Sequence, residues 1–364
     1  MKQWITALDG LDKLQFGEAE RPSPKDGEVL VKIEAVSLNY RDTEVIMGLY
    51  VHHKSIGAAT SLVPCSDMCG TVVESKSSDL AEGTRVMSIF NQTHQTGKPK
   101  ESDMASGLGL PLNGVLTEYR VFPASGLVAA PAYMTPEEAS CLPIAAVTAW
   151  MSINSLRPLG EPLDYTGDKS GGGAERETVL LQGTGGVSIS GLQIAAAAGL
   201  RTIITSSSDD KLARARDELG ADVGINYRTH WEWQEPVLQA TGGRGADVIL
   251  ETGGAQTLRR SFDCVAFGGV INCIGYLSGK QEAAPAPGEE NRLNVNVLAL
   301  RRNATLRGII NGPRDRFEEM VAFYARHRIR PVVDRVFPFD KADEALKYLH
   351  SGGHFGKVVV KVAA

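Results

Sequence analysis

Residues 29–34 alternate apolar and polar side chains, Val29-Leu30-Val31-Lys32-Ile33-Glu34, which is the period of a half-buried strand. Shorter runs at 70–74, 85–89 and 116–121, set apart by Gly, Pro and Ser clusters, give the same signal. The first part of the chain therefore predicts mostly β structure. The stretch 91–114 is polar and glycine-rich and predicts a long loop. At 139–156 the character changes to one apolar helix carrying Trp150. Residues 160–177 have linker composition and predict a surface insertion.

Beyond the insertion the pattern becomes regular. Short apolar strands are predicted at 178–181, 202–205, 223–226, 247–250 and 270–274, with helices at 187–198, 210–219, 231–240 and 258–266. Such alternation predicts a parallel sheet covered on both faces. A sixth strand is expected at 305–308, helices at 314–327 and 340–351, and a closing strand at 357–362 that rejoins the first domain. The predicted fold is α/β, with a mostly-β domain (1–138 and 309–364) interrupted by a doubly wound Rossmann domain (139–308).

Composition narrows the class. The chain has 364 residues, 22% charged, with a formal net charge of −5 and no basic block, so nucleic acid is not an expected partner. No apolar run is long enough to span a bilayer, and the first residues lack the apolar core of a signal peptide. Five cysteines, few and odd in number, suit a reducing compartment. The expectation is a cytoplasmic protein acting on a small molecule.

The candidate chemistry starts at Gly183-Thr184-Gly185-Gly186-Val187-Ser188, which carries a buried strand straight into a helix. Glycines let the backbone turn tightly against a pyrophosphate, and the helix's free N–H groups attract its charge. Ser188 takes the place of a third glycine and is small enough for the helix to pack. The end of the second strand then selects the dinucleotide. An NAD site would have Asp or Glu there. This chain has Ser206, then Ser207 and Ser208, with Lys211 able to reach back. Hydroxyls and a cation suit the 2′-phosphate of NADPH/NADP+, while Asp209 and Asp210 read as helix caps. Lys211 as an ordinary surface lysine is the alternative. Gly253 and Gly254 end the fourth strand, and Gly275 and Tyr276 the fifth, where an open α/β sheet presents its ligand crevice. Tyr276 is read as stacking on the nicotinamide or as packing.

With these motifs stand Ser37-Leu-Asn39-Tyr40-Arg41-Asp42, Val63-Pro-Cys-Ser-Asp67-Met-Cys-Gly70, Leu142-Pro143, Thr148-Ala149-Trp150 and His354-Phe-Gly356-Lys357. Together they resemble the medium-chain dehydrogenase/reductase superfamily, in its zinc-independent, quinone oxidoreductase-like branch. The resemblance implies a GroES-like catalytic domain built from both chain ends. It implies Ser207, Lys211 and Tyr227 around the 2′-phosphate, Thr148 near the nicotinamide and ribose, and a homodimer joined through Rossmann sheet edges. Zinc-bearing relatives place a Cys near Asn39 and a Gly-His-Glu triplet where this chain reads Cys65-Ser66-Asp67. Zinc is therefore not expected. Cys65 and Cys69 read as small buried thiols, although His52 and His53 could be imagined beside them.

Without a Lewis acid, a quinone or an α,β-unsaturated carbonyl is the easier acceptor, since it spreads the arriving charge itself. The resemblance implies Tyr50 as proton donor, with water as the alternative, and Asn39 at the nicotinamide or the substrate carbonyl. Asp42 is expected to order this loop through backbone N–H bonds, paired with Arg41. Trp231 and Trp233 are assigned to packing, and Arg301, Arg302 and Arg307 to solvated surface or a dimer rim. Two other functions stay open: a zinc-free alcohol dehydrogenase or carbonyl reductase, and a protein that binds NADPH without turnover.

Overall fold

The computed structural model describes residues 1–51, 60–164, 176–281 and 293–362. His52, His53 and most of the 160–177 insertion lie outside the described residues. Internal contacts divide the chain into two compact units, Met1–Val147 with Asn311–Ala364, and Thr148–Ile310. Residues 139–147 thus fold with the first unit.

The N-terminal part runs β1 (Lys2–Ile5), β2 (Gln15–Glu18), β3 (Glu28–Leu38), α1 (Tyr40–Ile46), β4 (Asp67–Ser75), β5 (Arg85–Ser88), α2 (Glu101–Met104), β6 (Tyr119–Pro123), β7 (Leu127–Ala129) and α3 (Pro136–Ala139). Alternation did not reveal the β1–β2 hairpin because each arm has only four residues and β2 is mostly exposed. β3 is longer than its pattern predicted and packed on both faces. Val29, Leu30, Val31, Ile33, Ala35, Val36 and Leu38 are all at most 1% exposed. The reason is its central place, antiparallel to β4 on one side and to β6 on the other. The helix predicted over 139–156 is broken. α3 ends at Ala139, Leu142–Ala146 form a π turn, and α4 (Val147–Asn154) follows. Pro143 has no N–H to give, and Ile144 gives its own to the Asp67 carboxylate at 3.0 Å.

The second unit contains β8 (Thr178–Leu181), α5 (Gly186–Ala197), β9 (Arg201–Ser206), α6 (Asp209–Asp217), β10 (Val223–Asn226), α7 (Gln234–Ala240), β11 (Ala246–Glu251), α8 (Leu258–Cys264), β12 (Val265–Cys273), α9 (Val295–Arg302) and β13 (Thr305–Gly308). All neighbours are parallel, in the order β10-β9-β8-β11-β12-β13. Its core gathers Leu180, Ile203, Ile249, Ile271, Val237 and Phe262. This is the predicted doubly wound sheet, and its strands start within a few residues of where periodicity put them.

The chain then supplies α10 (Arg314–His327), β14 (Val333–Pro338), α11 (Ala342–His350) and β15 (Lys357–Lys361) to the first unit. β15 pairs antiparallel with β3 and parallel with β14, completing a mixed sheet. β14 escaped prediction because Asp334, Arg335 and Pro338 interrupt its apolar positions. Among the described residues no helix is long and apolar enough to cross a membrane.

Candidate active site

In the second unit the strand order reverses between β8 and β11, and an open parallel sheet presents its crevice at the carboxyl ends there. The loop from β8 to α5 has Gly183 at φ +76°, a left-handed conformation that disfavours other residues. Its N–H is given to the Thr205 hydroxyl of β9 at 3.2 Å. Thr184 is buried, while Gly185, Gly186 and Val187 are half-buried. Gly185 is the N-cap of α5 and no side chain caps that helix. The first N–H groups of a twelve-residue helix therefore face the glycine loop, which is the donor set a pyrophosphate requires. Ser188 is 2% exposed on α5, and further along the helix Gly191 packs closely too, where a Cβ would stand 2.8 Å from Leu181 and 3.0 Å from Leu250. Ser188 gives its hydroxyl to the Gln182 carbonyl at 2.6 Å.

At the ends of β9 and β10 the structure brings Ser206, Ser207, Lys211 and Tyr227 to one corner. Tyr227 donates its N–H to the Ser206 carbonyl at 3.0 Å, and Lys211 its N–H to the Ser208 hydroxyl at 3.4 Å. Ser208 is thus the N-cap of α6, not Asp209 or Asp210, which lie in its first turn. Asp209 instead accepts from the Asn226 amide at 2.9 Å. No carboxylate ends β9 itself, so hydroxyl groups hold the place where a ribose-binding acid would sit.

Sequence reasoning missed the floor of this crevice. Glu251, the last residue of β11, is 1% exposed. Gln182 donates to its carboxylate at 2.7 Å, and Gly253 and Gly254 both donate their N–H groups to it at 2.9 Å. Gln182 in turn accepts from the N–H of Thr252 at 3.2 Å and of Gly253 at 3.3 Å. The pair therefore ties the end of β8 to the end of β11 and shapes the turn that carries Gly253. Gly275 and Tyr276 follow β12 and are half-buried, with the Lys280 ammonium 4.7 Å from the Tyr276 ring centre. Thr148 is 2% exposed at the start of this unit.

Asn39 and Tyr50 belong to a different setting, in the first unit. Asn39 caps α1, and Asp42 takes its N–H at 2.8 Å in a capping box. Arg41 pairs with Asp42 at 3.3 Å and donates to the Leu108 carbonyl at 3.2 Å. Its guanidinium lies 4.9 Å from the ring centres of both Tyr50 and Phe90. Tyr50 is half-buried against Val45, Leu62 and Leu110. Lys357, 4% exposed, sends its ammonium to the Leu38 carbonyl at 2.7 Å and the Asn39 Oδ1 at 2.6 Å. With Oδ1 so held, the Asn39 Nδ2 is turned toward Asp67, near enough to favour its ionised form but with no partner in hydrogen-bonding geometry.

Burial governs the electrostatics of this cluster. It pushes the Asp42 carboxyl up to about 6, against the pull of Arg41 and the Asn39 N–H. Asp67 is raised for the same reason, opposed by Lys357, Asn39, Ser66 and the Ile144 N–H. Burial also raises Cys65 and Cys69 well above an ordinary thiol. Among the described residues no three His, Cys, Asp or Glu side chains are grouped so as to hold a metal ion.

Two smaller expectations change. Trp233 is buried, as packing requires, but Trp231 is 56% exposed beneath the Arg260 guanidinium. Arg307 is not solvated surface. It binds Asn272 Oδ1 at 2.7 Å and the Met151 carbonyl at 2.9 Å, tying β12 to α4.

Two family descriptions match the chain, "Alcohol dehydrogenase GroES-like domain" over residues 25–132 and "Zinc-binding dehydrogenase" over residues 186–326. A zinc-type alcohol dehydrogenase-like protein of Schizosaccharomyces pombe is 39% identical over 98% of this chain and 97% of its own length. Among solved structures, an NAD-dependent alcohol dehydrogenase shares 27% identity with TM-score 0.81, both chains fully covered. The quinone oxidoreductase of Thermus thermophilus, solved also with NADPH, shares 26% identity with TM-score 0.71, again over the full length of both.

Proposed function

Because this chain belongs to the medium-chain dehydrogenase/reductase superfamily of oxidoreductases, we propose that it is an NADPH-dependent reductase of activated C=C bonds or quinones that works without zinc. The observation that carries the choice of nucleotide is the end of β9, where Ser206 and Ser207 stand in place of a carboxylate and Asp209 is bound to Asn226. A carboxylate there would repel a 2′-phosphate, whereas Ser207, Tyr227 and the Lys211 ammonium suit it. The names of two relatives support the reaction type: a prostaglandin reductase-3 of Mus musculus, 27% identical over 94% of the chain, and a quinone oxidoreductase-like protein 2 homologue of Nematostella vectensis, 24% identical over 92%.

Zinc is left out because the donor set does not suit it. Where Cys65 and Asp67 stand, the positive charge is the Lys357 ammonium, and burial holds the Cys65 and Cys69 thiols protonated. When bound, NADPH supplies a hydride to the β-carbon of an enone or to the quinone ring. The residues assigned to the nucleotide are Thr148, Gly183, Thr184, Gly185, Gly186, Val187, Ser206, Ser207, Lys211, Tyr227, Gly253, Gly275 and Tyr276. Tyr50 gives its phenolic proton to the enolate carbon and regains one from water. The Arg41 guanidinium, 4.9 Å from the Tyr50 ring centre, braces that ring. Asn39, fixed through its Oδ1 by Lys357, is assigned to the nicotinamide or the acceptor's carbonyl. The edge strand β13, with Leu306 and the neighbouring Leu300 exposed, is the surface through which two copies pair.

The test is a panel of enones, quinones, ketones and simple alcohols, followed by NADPH or NADP+ absorbance in the presence of a chelator. Turnover of enones or quinones with NADPH is expected. Turnover of simple alcohols alone would replace this reading with the alcohol dehydrogenase one.

A further inference from the structure

Glu251 is buried, yet every group that binds it is neutral. One oxygen accepts the N–H groups of Gly253 and Gly254, both at 2.9 Å, and the Thr257 hydroxyl at 2.5 Å. The other accepts from the Gln182 amide at 2.7 Å and from the Ser261 hydroxyl. Three of these groups, the Gly253 and Gly254 N–H and the Gln182 amide, can only donate, and they reach both oxygens, which suits a carboxylate. Two other deeply buried carboxylates of this chain have a cation at hand, Arg41 for Asp42 and Lys357 for Asp67. The dipoles around Glu251 hold its charge in place but do not cancel it.

Topology gives that charge a direction. The pyrophosphate belongs on the β8–α5 loop and the adenosine ribose at the end of β9. The nicotinamide half then falls on the opposite side of the switch point, toward β11 and β12, where Gly253 and Gly254 hang from Glu251. A nicotinamide ring is cationic when oxidised and neutral when reduced. A fixed negative charge favours the first form, so the bound couple becomes a stronger hydride donor. We propose that Glu251 is an electrostatic positioning residue that makes this site bind NADP+ more tightly, relative to NADPH, than a neutral crevice would. This rests on the nucleotide reading above.

The two dissociation constants, measured on the same purified protein, test it. NADPH is followed by nicotinamide fluorescence and NADP+ by calorimetry. In Glu251→Gln the ratio Kd(NADP+)/Kd(NADPH) should rise about tenfold, the order expected for one charge acting through partly screened protein. The exchanged pair Gln182→Glu/Glu251→Gln keeps one carboxylate and one amide at the same two places, and should hold the wild-type ratio within about threefold. If Glu251→Gln does not fold, Gln182→Lys, which sets a cation against the carboxylate, decides: the ratio should again rise about tenfold, and an unchanged ratio overturns the proposal. Equal weakening of both nucleotides in Glu251→Gln would mean that Glu251 only braces the glycine turn. If the wild type binds neither nucleotide, the cofactor reading fails, and this inference with it.

Discussion

In the first unit, Asp42 and Asp67 are buried beside Arg41 and Lys357, and burial still pushes both carboxyls up. In the second, Glu251 is buried as deeply and bound only by amides, hydroxyls and backbone N–H groups. The first arrangement sets cations against its anions and acts as a rigid support, holding Asn39 by its oxygen and Tyr50 by its ring face. The second retains a charge and directs it at whatever occupies the crevice. Burial of an acid therefore says little by itself; the charge of its partners separates a scaffold from an electrostatic device.

The largest effect is expected when the first cluster loses Lys357. Lys357→Met should cost about 3–5 kcal/mol of stability, because it leaves the Asp67 carboxylate buried without its compensating charge. The midpoint of urea unfolding reads this directly. A loss under about 1 kcal/mol would mean that Lys357 balances nothing there.

The next test uses pH. The folded-state value of Asp42, about 6, lies above its usual 3.8, so folding favours the protonated acid. The stabilisation is fully present below the unfolded value and is lost as pH rises through about 6. Wild type should therefore lose up to about 3 kcal/mol more than Asp42→Asn between pH 4 and 7. Parallel stability curves for the two proteins would contradict the assignment.

Tyr50→Phe asks what the first cluster is for. The expected result is a fall in kcat of about 10²-fold on an enone with the KM for NADPH unchanged. An unchanged kcat would give the proton to water. The smallest effect belongs to the second unit: Lys211→Ala should weaken NADPH about tenfold and leave NADH alone, measured by equilibrium binding. Equal loss for both would return Lys211 to the ordinary surface.

The second unit was legible because its signals are local. Each strand is a short apolar run, and the glycine loop joins β8 to α5 within a few residues. The cluster around Asn39 was legible only in part. The Asn39–Asp42 capping box is a spacing of three, whereas Lys357 meets Asn39 across more than three hundred residues through the β15–β3 pairing. A lysine at the head of an apolar strand looks like a solvated end until pairing buries it. Glu251 and Gln182 were missed for the same reason, since each reads as the polar residue after a strand. Arg307 shows the converse, an arginine assigned to the surface that pins two elements of the second unit. Register, set by contacts between distant segments, decides these cases.

The most direct measurement of the whole account is calorimetric titration of chelator-treated protein with NADPH and with NADH side by side. NADPH should bind saturably, about tenfold or more tighter than NADH, with chelator present. Binding of NADH as tight as or tighter than NADPH, or binding that returns only when zinc is restored, would contradict it.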